Sequence, residues 1–141
     1  MSFLLDTCAI SELSKTTPVS GFVEWLDSCD EDMLNICSVT LGELRYGIDL
    51  LSDGKRKMRL LTWFEMIRAS YVGHIIDVSQ DAFLRWGMLR AECKKAGRPL
   101  PMADGLIASV AIVEGLTVVT RNTCDFDGLG VELINPWNEM G

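Results

Sequence analysis

Apolar positions along the chain fall into two patterns: short continuous runs, and stripes of helical period between them. Phe3-Leu4-Leu5 is the first run, and it stops on Asp6 before small residues and an Ile10/Leu13 spacing take over. Phe22, Trp25, Leu26 and Cys29 repeat at helical spacing behind Thr17-Pro18, which reads as a cap and a first-turn proline. Met33 to Cys37 is a second buried run, and its polar exit, Ser38-Val39-Thr40, predicts a helix from about Leu41 to Leu51. Asp53-Gly54 breaks the chain, and Met58, Leu61, Phe64 and Ile67 mark the next amphipathic helix.

Ile75 to Val78 predicts a third strand, and Ser79 caps a long helix whose Phe83, Trp86, Leu89 and Cys93 point to the core until Gly97 ends it. From Met102 to Glu114 the helical segment is apolar on nearly every face and should be buried, with Gly115 as its stop. Leu116 to Thr120, short and β-branched, has the composition of a central parallel strand, and Val131 to Ile134 is the last. Strands separated by helices predict an α/β fold, a three-layer sandwich whose mainly parallel central sheet is flanked by helices.

Four acidic residues occur where strands give way to helices or where helices begin: Asp6, Glu43, Asp104 and Asp125. In a parallel α/β fold those junctions share one end of the molecule, where ligands bind. Each also has a purely structural reading. Thr40-Leu41-Gly42-Glu43 is a capping box, Asp104 suits a helix N-terminus, and Asp125 suits a turn. Asp6 resists this, because Phe3-Leu4-Leu5 leaves it among apolar neighbours with no adjacent base. Were the four to converge, repulsion would raise their pKa values unless a cation neutralised them; oxygen ligands alone select Mg²⁺ or Mn²⁺ over zinc.

Charge sharpens this picture. At 141 residues with a formal net charge of −7, the chain suits one domain and lacks the basic excess of proteins that hold nucleic acid by bulk electrostatics. A phosphate-bearing partner must be held locally, by metal or by clusters such as Lys55, Arg56, Lys57 and Arg59, or Lys94, Lys95 and Arg98, which also read as solvated helix faces. One histidine, His74, excludes a histidine-pair ribonuclease and suits a surface or strand edge. Five cysteines without a CxxC pair read as reduced thiols, and no segment reads as a signal peptide or membrane span, which together predict a cytoplasmic protein. Cys8 offers a nucleophile with no evident base. Trp25, Trp63 and Trp86 read as core or interface, Trp137 as closing the C-terminus, and Asp127 as solvent-facing.

Taken together, LLDTCAISEL, SVTLGELRYG, PMADGLIASVA and VVTRNTCDF resemble, in order and over nearly the whole chain, the PIN-domain ribonucleases, most closely the VapC-type toxins of bacterial type II toxin-antitoxin pairs. The resemblance implies one PIN-like nuclease domain over residues 1–141 and carries the family's acidic residues onto Asp6, Glu43, Asp104 and Asp125 as catalytic metal ligands. Thr7, Thr120 and Asn122 fall at supporting positions. It implies Mg²⁺-assisted hydrolysis of RNA, with Mn²⁺ as substitute, a small antitoxin partner, a homodimer, and contact with DNA only through the antitoxin. Cys8, where many members carry asparagine, and Gly105, where alanine is common, depart from the pattern. The competing reading is a PIN-fold binding module with a weakened site, acting through a DNA-binding antitoxin. A dehalogenase-like phosphatase fits poorly because Cys8 stands where it needs a second aspartate. A receiver domain fits poorly because Thr120-Arg121 stands where it needs a lysine.

Overall fold

Alternation along the first strand assigns the two faces of the sheet. Leu4 packs with Val118, Leu89, Cys93, Ile107 and Val110, whereas its neighbour Leu5 packs with Val119, Ile10, Phe22, Ile36 and Phe64. Successive side chains on a strand point to opposite faces, so a sheet with two apolar faces must be covered on both. The computed structural model describes residues 1–139. Its elements run β1 (Phe3–Leu5), α1 (Thr7–Glu12), α2 (Ser20–Ser28), β2 (Leu34–Cys37), α3 (Ser38–Asp49), α4 (Lys55–Ser70), β3 (Ile75–Ile76), α5 (Gln80–Lys95), α6 (Met102–Glu114), β4 (Thr117–Val119), β5 (Leu133–Ile134) and α7 (Pro136–Glu139). Short 3-10 turns cover Glu31–Met33 and Thr123–Asp125.

The five strands take the order β3-β2-β1-β4-β5, and all four pairings are parallel. Helices α5 and α6 cover one face; α1, α2, α3 and α4 cover the other. This is the three-layer sandwich expected, with a sheet parallel throughout. The order reverses between β1 and β4, so the crevice at their C-terminal ends is the topological switch point where such sheets bind ligands. Buried α6 lies beside it, running unbroken through the core from Gly105 to Ala111. Gly115 ends it in the left-handed conformation (φ 69°), and Leu116 N–H closes back on the Ala111 carbonyl at 2.8 Å.

Four local expectations need correction. Helix α3 starts at Ser38, directly off β2, so Thr40 is a fully buried third residue of the helix and the Thr40/Glu43 capping box does not form. Helix α2 starts at Ser20, beyond Thr17-Pro18; Val19 precedes it in an extended conformation while its N–H reaches across to the Glu12 carboxylate at 3.3 Å. On α5 the inward stripe is Ala82, Leu89 and Cys93 with half-buried Trp86, which turns Phe83 outward. The helical repeat passes through position 82, so its neighbour 83 cannot share that face. Strands β3, β4 and β5 are shorter than their apolar runs, because ladder pairing ends before the β propensity does.

Other expectations hold. Ser79 caps α5 through Ala82 N–H at 3.1 Å, His74 stands at the edge strand β3 with Nδ1 3.2 Å from Asn35 Oδ1, and Asp127 is exposed. Trp137 stacks on Phe22 at 4.2 Å and 6°. All five cysteines are free, and among the described residues no helix is long and apolar enough to cross a membrane.

Candidate active site

Asp6 is the first residue after β1. Its N–H still bonds the Val119 carbonyl of β4 at 3.1 Å, and its Oδ1 turns back to accept the Ala9 N–H at 2.8 Å, capping α1. The same residue therefore ends a central strand and begins a helix, which holds its carboxylate rigidly at the switch point. Only 4% of it is exposed. Burial pushes its pKa up to about 6; the Thr120 hydroxyl and the Ala9 amide partly oppose this, while the charges of Asp104 and Glu43 add to it.

Asp104 enters from the first turn of α6 and is half-buried. Its pKa also rises to about 6, from burial first and then from the Asp125 and Glu43 charges. Glu43 comes from the second turn of α3, exposed at the rim, and accepts a hydrogen bond from the Thr7 hydroxyl. Thr7 Oγ1 also lies 3.2 Å from Thr40 Oγ1, so buried Thr40 braces the hydroxyl that holds Glu43. Asp125 closes the 3-10 turn after β4 and is exposed. Its influence falls on Asp104, not on Asp6.

The charges of Asp104 and Glu43 act on Asp6, and those of Asp125 and Glu43 act on Asp104, so the four predicted acidic residues share one electrostatic neighbourhood. The supporting residues are there too. Buried Thr120 serves Asp6 and accepts the Asn122 N–H at 3.0 Å. Asn122 Nδ2 lies 3.2 Å from Cys8 Sγ, so its side chain contacts the thiol, not a carboxylate. Burial first, then the Asp6 charge, raises the Cys8 pKa, which keeps the thiol protonated and removes it as a nucleophile.

A PIN domain family model matches residues 3–129. The chain belongs to the PIN domain family, VapC type. It is 33% identical to VapC ribonuclease Y4jK of Sinorhizobium fredii, over 95% of this chain and 96% of that one. With toxin FitB of Neisseria gonorrhoeae it shares 35% identity over 96% of this chain and 99% of that one. The solved structure of FitAB bound to an IR36 DNA fragment superposes with a TM-score of 0.87 at 34% identity, covering 96% of both chains.

Within this PIN domain the donor set suits a hard divalent cation. It is all carboxylate oxygen, it lies partly out of water, and none of the ion pairs among the described residues involves these four side chains. Burial first, and neighbouring carboxylates after it, raise Asp6 and Asp104 with no basic partner, a charge balance that a cation would restore. Among the described residues no three Cys, His, Asp or Glu side chains are placed to hold one ion between them. Oxygen donors without thiolate or imidazole suit a hard cation over zinc by their chemistry alone.

Two features of this PIN domain were not legible beforehand. Thr40 reads as a helix cap and proves to be a buried brace for Thr7. Glu12, an unremarked member of LLDTCAISEL, is 3% exposed and accepts from the Trp137 indole at 3.1 Å and the Val19 amide at 3.3 Å, beside Lys15 and Arg121. The signal was there only as a glutamate at the end of an apolar helix, with a tryptophan far along the chain. Of the basic clusters, Lys57 pairs with Asp53 and Asp49, and Arg98 donates to the Cys124 carbonyl at 3.2 Å, bracing the turn that carries Asp125.

Proposed function

We propose that this protein is a Mg²⁺-dependent endoribonuclease, the toxin of a type II toxin-antitoxin pair. What carries the reading is the electrostatic neighbourhood of Asp6, Glu43, Asp104 and Asp125, drawn from the end of β1, from α3, from α6 and from the turn after β4, in a sheet whose strand order reverses between β1 and β4. Family membership and relatives named VapC ribonuclease and toxin FitB support it.

Asp6 and Asp104 are the principal ligands of the ion, with Asp125 beside Asp104. Mg²⁺, or Mn²⁺ in its place, supplies a Lewis acid for the scissile phosphate and an acidified water for in-line attack. Glu43, held by Thr7, is placed to orient that water by accepting its proton. The Thr120 hydroxyl partly offsets the burial that disfavours the charged, ligating form of Asp6.

The same reading gives the toxin a small antitoxin partner, with DNA reached through that partner, and a homodimeric state in the cytoplasm; the likeness to FitAB, solved bound to a DNA fragment, supports it. Exposed Tyr46 on α3, Leu50 just past its end, and Met58 and Met66 on α4 supply apolar surface for the partner. The test is cleavage of mixed-sequence RNA by the purified chain with Mg²⁺ and with EDTA, beside Asp6→Asn. Cutting that needs both Mg²⁺ and Asp6 supports the nuclease. RNA left intact at saturating Mg²⁺ supports the binding module instead.

A further inference from the structure

Three cations sit against acids on or beside their own helices: Arg45 with Asp49, Lys57 with Asp49 and Asp53, Arg68 with Glu65. Three gather elsewhere. Lys15 Nζ lies 3.3 Å and Arg121 Nη1 3.6 Å from a single oxygen, Glu12 Oε1. Arg59 reaches over from α4, its Nη1 donating to the Ser14 carbonyl at 3.4 Å, one residue before Lys15. All three cations are exposed, while the carboxylate that Lys15 and Arg121 share is buried.

Glu12 is fixed independently of the cations. The Trp137 indole and the Val19 amide hold its two oxygens. Burial pushes its pKa up, but these bonds and Lys15 more than offset that and leave it lowered, so it is a stable anion. One fixed anion among three cations leaves a local positive excess in a chain of formal net charge −7. Arg121 is ordered further by lying over the Trp137 ring, 5.9 Å from its centre. The patch adjoins the acidic site: Arg121 follows Thr120, and α1 runs from its Asp6 cap to Glu12, about 9 Å at the helical rise.

We propose that Lys15, Arg59 and Arg121, ordered around buried Glu12, form the phosphate-binding track that guides single-stranded RNA into the carboxylate site, with Glu12 as the positioning residue. The inference rests on the ribonuclease reading and names how that site holds its substrate. An acidic chain repels RNA at long range, so a backbone-binding surface has to be local. Guanidinium groups held in a fixed orientation match phosphate oxygens. RNA is favoured over an acidic protein because the patch is continuous with the segment that holds Asp6, so phosphates flanking the one being cut fall within its reach.

The test uses the full chain and a fluorescein-labelled single-stranded RNA of mixed sequence. Binding is followed by anisotropy in EDTA over a salt series, and cleavage is followed in Mg²⁺. Lys15→Gln, Arg59→Gln and Arg121→Gln are surface changes that leave the fold intact. Each weakens binding roughly 2- to 10-fold, lowers the slope of log K against log salt by about 0.7, and reduces kcat/KM through KM. Glu12→Gln gives the decisive sign. It makes the chain more positive, so bulk electrostatics calls for tighter RNA binding, whereas loss of the anchor calls for weaker binding in protein shown by circular dichroism to be folded. Tighter binding overturns the positioning role. Wild-type cleavage with unchanged KM and salt slope in the three surface variants overturns the track. Loss of binding to a poly-glutamate probe, with RNA binding intact, assigns the patch to an acidic protein partner and overturns it as well. A wild-type chain that neither binds nor cuts RNA brings down the ribonuclease reading, and this inference with it.

Discussion

The Asp6 carboxylate, at the end of β1, is pushed up by the charge of Asp104, in the first turn of α6, and both groups stand at about 6 where an ordinary aspartate stands at 3.8. Burial is the larger cause for each, and the Asp104 charge links Asp6 to a residue far along the chain. Stability, metal binding and pH dependence follow from that link.

Metal-free protein loses stability as pH rises from about 4 to about 6. The folded state keeps the Asp6 proton over this window while the unfolded chain has released it, so rising pH favours unfolding. Moving Asp6 from 3.8 to about 6 corresponds to about 3 kcal/mol, fully lost above pH 6. Asp104, half-exposed, adds less. Urea denaturation at pH 4.5 and pH 7 in EDTA measures the loss, and Mg²⁺ restores stability at pH 7 but not at pH 4.5. A slope that survives in Asp6→Asn would assign it to other groups.

Asp6→Asn separates capping from chemistry. Asparagine caps a helix as well as aspartate, so α1 persists and the metal-free protein is at least as stable as wild type at pH 7. Cleavage falls roughly a hundredfold or more, since losing a metal ligand removes several kcal/mol of transition-state stabilisation. Melting curves alongside initial rates show whether the two properties part in this way.

Trp137→Phe and Trp137→Ala divide the contribution of the C-terminal anchor. Phenylalanine keeps the stack on Phe22 but removes the indole donor to Glu12, at about 1 kcal/mol. Alanine removes both, for about 2 kcal/mol or more. Denaturation midpoints should rank wild type, then Phe, then Ala; equal values for the two variants would mean that the stack contributes nothing.

Gly105→Ala tests a tight contact behind Asp104. A Cβ there would lie 2.9 Å from Leu100 Cδ2 and from Trp86 Cδ1, and 3.1 Å from Trp86 Nε1, an indole nitrogen buried without a partner. Overpacking costs about 1 to 3 kcal/mol and the helix regains about 1 from alanine, so the net change is destabilising by about 1 kcal/mol. Trp86→Phe removes the clashing edge. The Leu100 contact remains, so in that background Gly105→Ala is less destabilising than in wild type, a non-additivity that a double-mutant cycle reads directly.

Much of this molecule was legible in the order of its residues. Strand, carboxylate, helix at Leu5-Asp6-Thr7, the buried helix from Met102 to Glu114 with its Gly115 stop, and the Ser79 cap all rest on contacts within a few positions, and the structure keeps them. The misreadings lie where a distant partner outweighed a local signal. Thr40 had the sequence of a cap, but β2 runs straight into α3 and turns its hydroxyl to Thr7. Phe83 is the larger apolar residue, yet Ala82 holds the face that meets α6.

By itself the sequence determined the alternation of strands and helices, the two-sided apolar character of the sheet, and the placing of acids at element junctions, because periodicity, capping and turn chemistry act between near neighbours. Only the tertiary structure decided that Asp6 and Asp104 titrate near 6, that Thr7 and Thr40 brace Glu43, and that Glu12 is a buried anion among Lys15, Arg121 and Trp137. Desolvation and Coulomb energies depend on which groups are close in space, and in this fold those groups come from opposite ends of the chain.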